Sequence, residues 1–217
     1  RVNEAKTKFL STVSHELRTP LTSMLAFTEI LTRNKQGNLV ENQMEYLNIL
    51  DRNGRRLNVL IGDLLDVSRV DAGTLILDHS DFDATELIDE LARSFEPLLE
   101  MKSQTLEIKV DDGPLLVTAD RERMAQVISN LLSNASKYTP DGGALGIGLW
   151  AEADELHFRI RDNGIGISEA DQKQLFTSFF RADNEATRAV PGTGLGLVVV
   201  KGIVNQHGGD ITVQSET

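Results

Sequence analysis

These 217 residues predict two domains of different class: a helical hairpin over residues 1–73, then an α+β two-layer sandwich over residues 74–217. Three observations carry the prediction. Apolar residues before Gly73 recur in steps of three and four, the period of a helix with one inward face. After Gly73 the texture changes to short runs with period-two alternation, interleaved with amphipathic helical stretches. The chain is 40% hydrophobic, which supplies cores for two modest domains.

The first helix is marked by Leu10, Val13, Leu17, Leu21, Met24, Thr28 and Leu31, and NKQGNL at residues 34–39 breaks it. A second run, Tyr46, Leu50, Asn53, Leu57, Leu60, Leu64 and Val67, keeps a strict alternation of four and three until Ala72-Gly73, a helix C-terminus signal. Two long helices with a short connection make an antiparallel hairpin. A hairpin alone has little core, and a heptad seam carrying Asn53 usually has partners, so a homodimeric four-helix bundle is the economical solution. A monomeric hairpin packed on the rest of the chain is the alternative.

In the second domain TLILDHSDF reads as strand then turn, and DATELIDELARSFEPLLEMK as an amphipathic helix. QTLEIKVDD reads as a strand with Leu106, Ile108 and Val110 on one face, and ADRERMAQVISNLLSNASKYT as a helix starting near Asp120. Strands follow at ALGIGLWAE and ELHFRIRD, then a glycine-rich polar stretch from Asn163 to Gly194, interrupted by QLFTSFF. A helix at GLVVVKGIVNQH and a strand at DITVQ close the chain, giving one sheet with helices on one face.

Composition narrows the function. There is no cysteine, which removes disulfides, thiolate metal sites and cysteine nucleophiles. Net charge is −11 and uneven: residues 75–217 hold 12 Lys+Arg against 24 Asp+Glu, so the second domain lacks the basic face of a nucleic-acid binder. No apolar run approaches the roughly 20 residues of a membrane span, and no signal peptide is visible. The fragment is expected to be soluble and cytoplasmic, without membrane contact. Its start at Arg1 within a helical pattern marks it as a piece of a longer protein, whose membrane anchoring is left open.

Three segments suggest a site. In DNGIGI the strand LHFRIR delivers Asp162, and Gly164 and Gly166 let backbone approach a ligand; Asp-Asn-Gly is also ordinary turn chemistry. PGTGLGL opens a helix whose free N–H groups suit phosphate oxygens. Leu197 stands where the dinucleotide fingerprint needs glycine, and no GK[ST] is present, so neither familiar phosphate fold applies. In NLLSNASKYTP, Asn130 and Asn134 share one helical face, with Lys137 a turn further. Such asparagines are either structural hydrogen bonders or neutral oxygen ligands for Mg²⁺, with a nucleotide supplying the negative charge. Lys137 then meets a phosphate, and Tyr138 offers a ring face to a base.

NLLSNASKYTP, DNGIGI, LFTSFFRAD and GTGLGL stand in the order and rough spacing of the N, first glycine, F and second glycine boxes of sensor histidine kinases, and SHELRTPL at residues 14–21 resembles their H box. The resemblance covers nearly the whole chain. It implies a second domain of the histidine kinase, gyrase and Hsp90 ATPase type that holds Mg²⁺ and ATP. By matching position, Asp162 accepts from the adenine amino group, Gly164 and Gly166 pass the base, and Asn134 and Asn130 bind Mg²⁺. Lys137 and Tyr138 contact phosphate and adenine, while Thr193, Gly194, Leu195, Gly196 and Leu197 line the phosphates. Residues from about Ile167 to Thr193 correspond to the mobile lid, with Phe176, Phe179 and Phe180 as its packing residues and Arg181 as its cation for the γ-phosphate. Three departures stand out: Thr177-Ser178 where the family commonly has Glu-Pro, Gly202 where many relatives carry a bulkier residue, and an end at Thr217 before the last strand relatives usually show. None removes an implied ligand.

The resemblance also gives His15 a role. His15 lies about 200° around the helix from Val13 and Leu17, opposite the seam. Its implied role is nucleophile toward the γ-phosphorus through Nε2, with Glu16 on Nδ1–H. Glu16-Leu17-Arg18-Thr19 fits the family's E-x-x-T phosphatase pattern, in which Thr19 orients a water. Pro20 removes the N–H that meets the Glu16 carbonyl, predicting a bend beside His15. The partners so implied are a second copy of the chain and the receiver domain of a response regulator. A scaffold with a degenerate ATP site conflicts with the intact His15, Asn134 and Asp162; a chaperone- or gyrase-type ATPase leaves SHELRTP without a use.

Overall fold

The computed structural model describes residues 2–35, 37–184, 187–188, 190 and 192–216, and side chains from Leu10 onward apart from Ser11. The chain divides into two compact units, Arg1–Leu75 and Ile76–Thr217.

The first unit is two helices, α1 (Val2–Thr32) and α2 (Glu41–Asp71). Between them Asn34 takes a left-handed φ of 41° and its side chain accepts from Leu39 N–H at 3.3 Å. Gln43 reaches back to Val40 N–H at 3.0 Å, supplying the N-terminal cap that Val40 itself lacks. At the far end Gly73 adopts φ +64°, with Gly73 N–H on Val70 O and Thr74 N–H on Arg69 O. That is a full Schellman motif, so Ala72-Gly73 ends the helix as its residues predict.

The apolar seam is displaced from the sequence expectation. Ser14, Leu21 and Thr28 are the buried line of α1, with Leu25 and Thr32 half-buried beside them. On α2 the inward line runs through Met44, Leu47, Asp51, Gly54, Ile61, Leu65 and Ser68. A Cβ on Gly54 would come 2.7 Å from Leu25 Cδ2 and 3.6 Å from Leu21 Cδ1, so the helices touch closely there. Leu17, Met24 and Leu31, and Tyr46, Leu50 and Leu57, which the seam reading placed inward, are each at least 45% exposed. Periodicity reports that a stripe wants burial but not against which neighbour. Here the inner line mixes large apolar residues such as Leu21, Ile61 and Leu65 with small or polar ones such as Ser14, Thr28 and Gly54, and a second apolar line remains uncovered within one chain. Pro20 lies inside α1, which is helical without interruption from Val2 to Thr32.

The second unit begins with β1 (Ser80–Asp83), antiparallel to β3 (Leu116–Ala119). Asp83 caps α3 (Ala84–Met101) by accepting from Thr85 N–H at 2.9 Å. The main sheet has order β2-β4-β5, from β2 (Thr105–Val110), β4 (Ala144–Glu152) and β5 (Glu155–Asp162). β2 and β4 are parallel; β4 and β5 form an antiparallel hairpin. The helices α4 (Arg121–Tyr138), α5 (Glu169–Gln172) and α6 (Gly196–Gln206) complete the described elements. Leu87, Ile88 and Leu91 of α3, Ile128 and Leu132 of α4, and Ile147 and Leu149 of β4 form the core, with helices on one sheet face.

Three strand expectations fail: in TLILDHSDF residues 74–79 form no strand, and the strand comes at Ser80–Asp83, where a turn was expected, because its pairing partner is the distant β3. β3 was not expected: LVTA is only four residues long and follows Gly113-Pro114, and its partner β1 is distant in sequence. DITVQ is not a strand. Ile211, Val213 and Ser215 do alternate half-buried with exposed neighbours, but no described segment pairs with their backbone. The segment is tied instead by Ser215, whose hydroxyl accepts from Ile167 N–H at 2.9 Å and whose carbonyl accepts from Gln172 Nε2.

Candidate functional site

α4 is the axis of the second unit's site. Its N-cap Asp120 accepts from Arg123 N–H and Asp78 N–H, both at 3.0 Å. Burial pushes the Asp120 carboxyl up, but these two N–H groups and the Arg123 charge outweigh it and hold the pKa below the ordinary carboxylate value. Asp120 N–H in turn donates to His207 Nε2 at 3.1 Å, joining the start of α4 to the end of α6. Nothing in the sequence pattern signalled that link.

Toward the other end of α4, Asn130 and Asn134 are half-buried and Lys137 is exposed. Asn130 Nδ2 is buried with no hydrogen-bond partner. The same side chain abuts the first residue of α6: a Cβ on Gly196 would lie 3.8 Å from Asn130 Cγ and Oδ1. At the end of α4 the Tyr138 carbonyl accepts from Ile165 N–H at 3.2 Å, and a Cβ on Gly164 would stand 2.5 Å from that carbonyl oxygen. Asp162 Oδ1 closes the turn by accepting from Gly164 N–H at 2.9 Å. Asn163 Oδ1 accepts from Ala144 N–H at 2.8 Å, anchoring the turn to β4, and Gly166 has φ +71°. The Asp162 turn and the glycine turn before α6 therefore both seat on α4.

The segment between those turns is held in a way that alters two expectations. Gly194 has φ +71°, its carbonyl accepts from Phe179 N–H at 3.0 Å, and a Cβ there would come 2.7 Å from Phe179 C. Thr193 Oγ1 accepts from Leu195 N–H at 3.1 Å, so that N–H is engaged within the chain rather than open to a phosphate. The first N–H groups of α6, from Gly196 and Leu197, are those a helix start leaves without carbonyl partners. Arg181 binds the carbonyls of Thr187, Val190 (2.5 Å) and Gly192 (3.1 Å), so the expected lid cation is clasped by its own loop. Phe176 lies under Lys201 Nζ at 5.0 Å, Phe180 is half-buried and Phe179 is exposed. Within the lid expectation, residues 185, 186, 189 and 191 lie outside the described residues.

In the first unit His15 is exposed on α1, its side chain 78% accessible, and Nδ1 is 3.9 Å from Glu16 Oε1. That is too long for a hydrogen bond. Thr19 Oγ1 donates to the His15 carbonyl at 3.2 Å, so the hydroxyl expected to hold a water is bonded to the backbone.

Residues 5–73 match the family model described as the His Kinase A (phospho-acceptor) domain, and residues 119–217 match the one described as Histidine kinase-, DNA gyrase B-, and HSP90-like ATPase. The chain belongs to the sensor histidine kinases. It is 37% identical over 215 residues to the circadian input-output histidine kinase CikA of Synechococcus elongatus, which covers 98% of this chain and 28% of CikA. Full-length ShkA, solved in complex with AMPPNP, superposes with a TM-score of 0.76 at 26% identity, covering 96% of this chain and 44% of that one. ThkA, solved in complex with the response regulator protein TrrA, gives 0.61 at 26% identity, covering 93% and 55%. The chain thus spans little more than a quarter of CikA.

The histidine kinase fold explains why a nucleotide suits these residues. Asn130 leaves a buried amide without a partner beside a helix start that offers backbone donors. Among the described residues no group of three or more His, Cys, Asp or Glu could hold a metal ion. A divalent cation beside Asn130 and Asn134 would therefore draw its charge from phosphate oxygens, which matches the neutral donors present.

Proposed function

We propose that this chain is an ATP-dependent autokinase core that phosphorylates His15 and passes the phosphoryl group to an aspartate of a response regulator. The observation that carries this reading is the convergence on α4: Gly164 seats the Asp162 turn on Tyr138, and Gly196 sets the α6 start against Asn130. Residues 1–73 serve as the dimerisation and phosphotransfer hairpin, and residues 74–217 as the ATP-binding domain.

In the reaction Asp162 accepts a hydrogen bond from the adenine amino group, and Gly164 and Gly166 keep the backbone close to the base. Tyr138 flanks the adenine and Lys137 meets the phosphates. Thr193, Gly194, Leu195, Gly196 and Leu197 shape the phosphate turn; Gly196 and Leu197 offer the open N–H groups, and Leu195 N–H joins them if it leaves Thr193. Asn130 and Asn134 would hold Mg²⁺ through their amide oxygens, and the ion would supply charge neutralisation on the phosphates. The His15 Nε2 lone pair forms the bond to the γ-phosphorus as the bond to the bridging oxygen breaks and ADP leaves. Glu16, whose Oε1 lies 3.9 Å from Nδ1, takes up the hydrogen bond to Nδ1–H and stabilises the charged ring. Arg181 reaches the γ-phosphate after releasing its three carbonyls.

The uncovered stripe of Leu17, Met24, Leu31, Leu50 and Leu57 supports a homodimer through a four-helix bundle. Thr19, freed from the His15 carbonyl, orients a water toward the aspartyl phosphate of the regulator, giving a phosphatase activity. A requirement for ATP supports a cytoplasmic location for this core.

The test is incubation of the chain with γ-labelled ATP and Mg²⁺. Acid-labile, base-stable label is expected on the native chain and none on His15→Gln; label persisting in that variant sinks the reading. Mixing His15→Gln with Asp162→Asn chains then reports whether transfer occurs within or between protomers.

A further inference from the structure

The turn between α3 and β2 carries a buried side chain that belongs to none of the motifs. Gln104 is 7% exposed and its amide is fully engaged. Nε2 donates to the carbonyls of Thr139 at 2.8 Å and Ser136 at 3.0 Å and lies 3.3 Å from that of Pro140, while Oε1 accepts from the Ser136 hydroxyl at 2.8 Å. This orientation is fixed by chemistry: carbonyls only accept, so the NH₂ must face them and the oxygen must face the hydroxyl. Lys102 Nζ adds bonds to Ser136 O at 2.5 Å and Thr139 O at 3.1 Å. Two carbonyls that the end of α4 leaves open are thus held by two side chains from one distant turn.

Between those carbonyls in sequence stand Lys137 and Tyr138. The Tyr138 carbonyl is the seat of the Asp162 turn, through Ile165 N–H and the close approach of Gly164. Any drift of the α4 end therefore moves the Asp162 turn relative to Asn130 and Asn134, two and one turns back along the helix. We infer that Gln104 is a positioning residue for nucleotide binding: by holding Ser136 and Thr139 it sets the spacing between the Asp162 turn and the asparagine face of α4. The inference rests on the reading that those groups bind ATP.

The test uses the whole 217-residue chain and initial rates of His15 labelling against ATP concentration. Gln104→Leu is expected to raise KM for ATP about tenfold with kcat changed less than twofold, because ground-state seating of the nucleotide is lost while the reacting groups remain. Lys102→Met and Ser136→Ala each remove part of the same network, and each is expected to raise KM two- to threefold. Ile88→Val, a core change on α3, is the control for destabilisation alone and is expected to leave KM within twofold. If the unaltered chain fails to label His15, the kinase reading fails before the variants matter. If it labels His15 and Gln104→Leu behaves like Ile88→Val, or loses kcat with KM unchanged, the positioning role is overturned. Should Gln104→Leu fail to fold, unchanged KM in both Lys102→Met and Ser136→Ala overturns it equally.

Discussion

Replacing Gly164 by alanine tests the seating of the Asp162 turn with one methyl group. The added Cβ would stand 2.5 Å from the Tyr138 carbonyl oxygen and 2.7 Å from Asp162 Oδ1. Ordinary carbon–oxygen contact is about 3.3 Å, so the turn must back away by roughly 0.8 Å. The nearer obstacle is backbone, which cannot swing aside as a side-chain end can. The 3.2 Å bond from Ile165 N–H to Tyr138 O breaks first, at about 1 kcal/mol. On the proposed reading, displacement of the Asp162 carboxylate then removes its charged hydrogen bond to the adenine amino group, worth about 1.5–3 kcal/mol, or roughly 10- to 150-fold in affinity. Calorimetric titration with ADP should show that loss, while the melting temperature falls by only a few degrees. Native affinity in Gly164→Ala would refute both the seating argument and the assignment of Asp162.

Three further outcomes are expected. Gly194→Ala places a side chain at φ +71° and 2.7 Å from Phe179 C, so autophosphorylation should drop more than tenfold, by roughly 2 kcal/mol or more, in a γ-labelled ATP assay. Arg181→Ala removes the clasp on Thr187, Val190 and Gly192, so limited proteolysis should cut between residues 182 and 193 several-fold faster, with the rest of the digest unchanged. Asp120 has a folded pKa below its unfolded value of about 3.9, so its stabilisation is complete above that value and is lost as pH falls through the lower folded one. Asp120→Asn should therefore melt below the unaltered chain at pH 7, and thermal scans between pH 5 and 2.5 should show that gap closing with acidification.

What could be read from the residues follows from the range of the forces involved. The helix end at Ala72-Gly73 and the caps at Asp83 and Asp120 are local, set by one glycine or one carboxylate. The alternation of Leu145, Ile147 and Leu149 likewise depends only on which sheet face is buried. The short strand β3 was hidden because its pairing is with residues more than thirty positions away. DITVQ carried the alternation of a strand without the partner that would make it one. For the hairpin the period was right: Leu21, Thr28 and Val67 of the expected seam are buried within the chain and Leu17, Met24 and Leu57 are not, since burial against an intrachain neighbour and burial against another copy leave the same periodic trace. Of the candidate site, the motifs and their order were legible. The clasp on Arg181, the bond from Thr193 to Leu195 N–H and the Gln104 network are side chain to backbone contacts between segments, and no spacing rule announces them.

The composition of the hairpin's inner line has a mechanical consequence. Large interdigitating side chains resist rotation of one helix against another, because each must climb out of its hole. Along the contact between α1 and α2, Gly54 is a shallow hole against which Leu25 and Leu21 lie, and the neighbouring inward positions Ser14, Thr28 and Asp51 carry short side chains. Torque applied at one end of α1 therefore meets its main resistance where Leu21 and Leu25 lie over Gly54, and less where the inward residue is Ser14 or Thr28. Since His15 projects outward from that same helix, a twist of a few tens of degrees sweeps the imidazole along an arc. The Leu21–Leu25–Gly54 contact is then the pivot about which such a twist runs, and His15 lies within two turns of it.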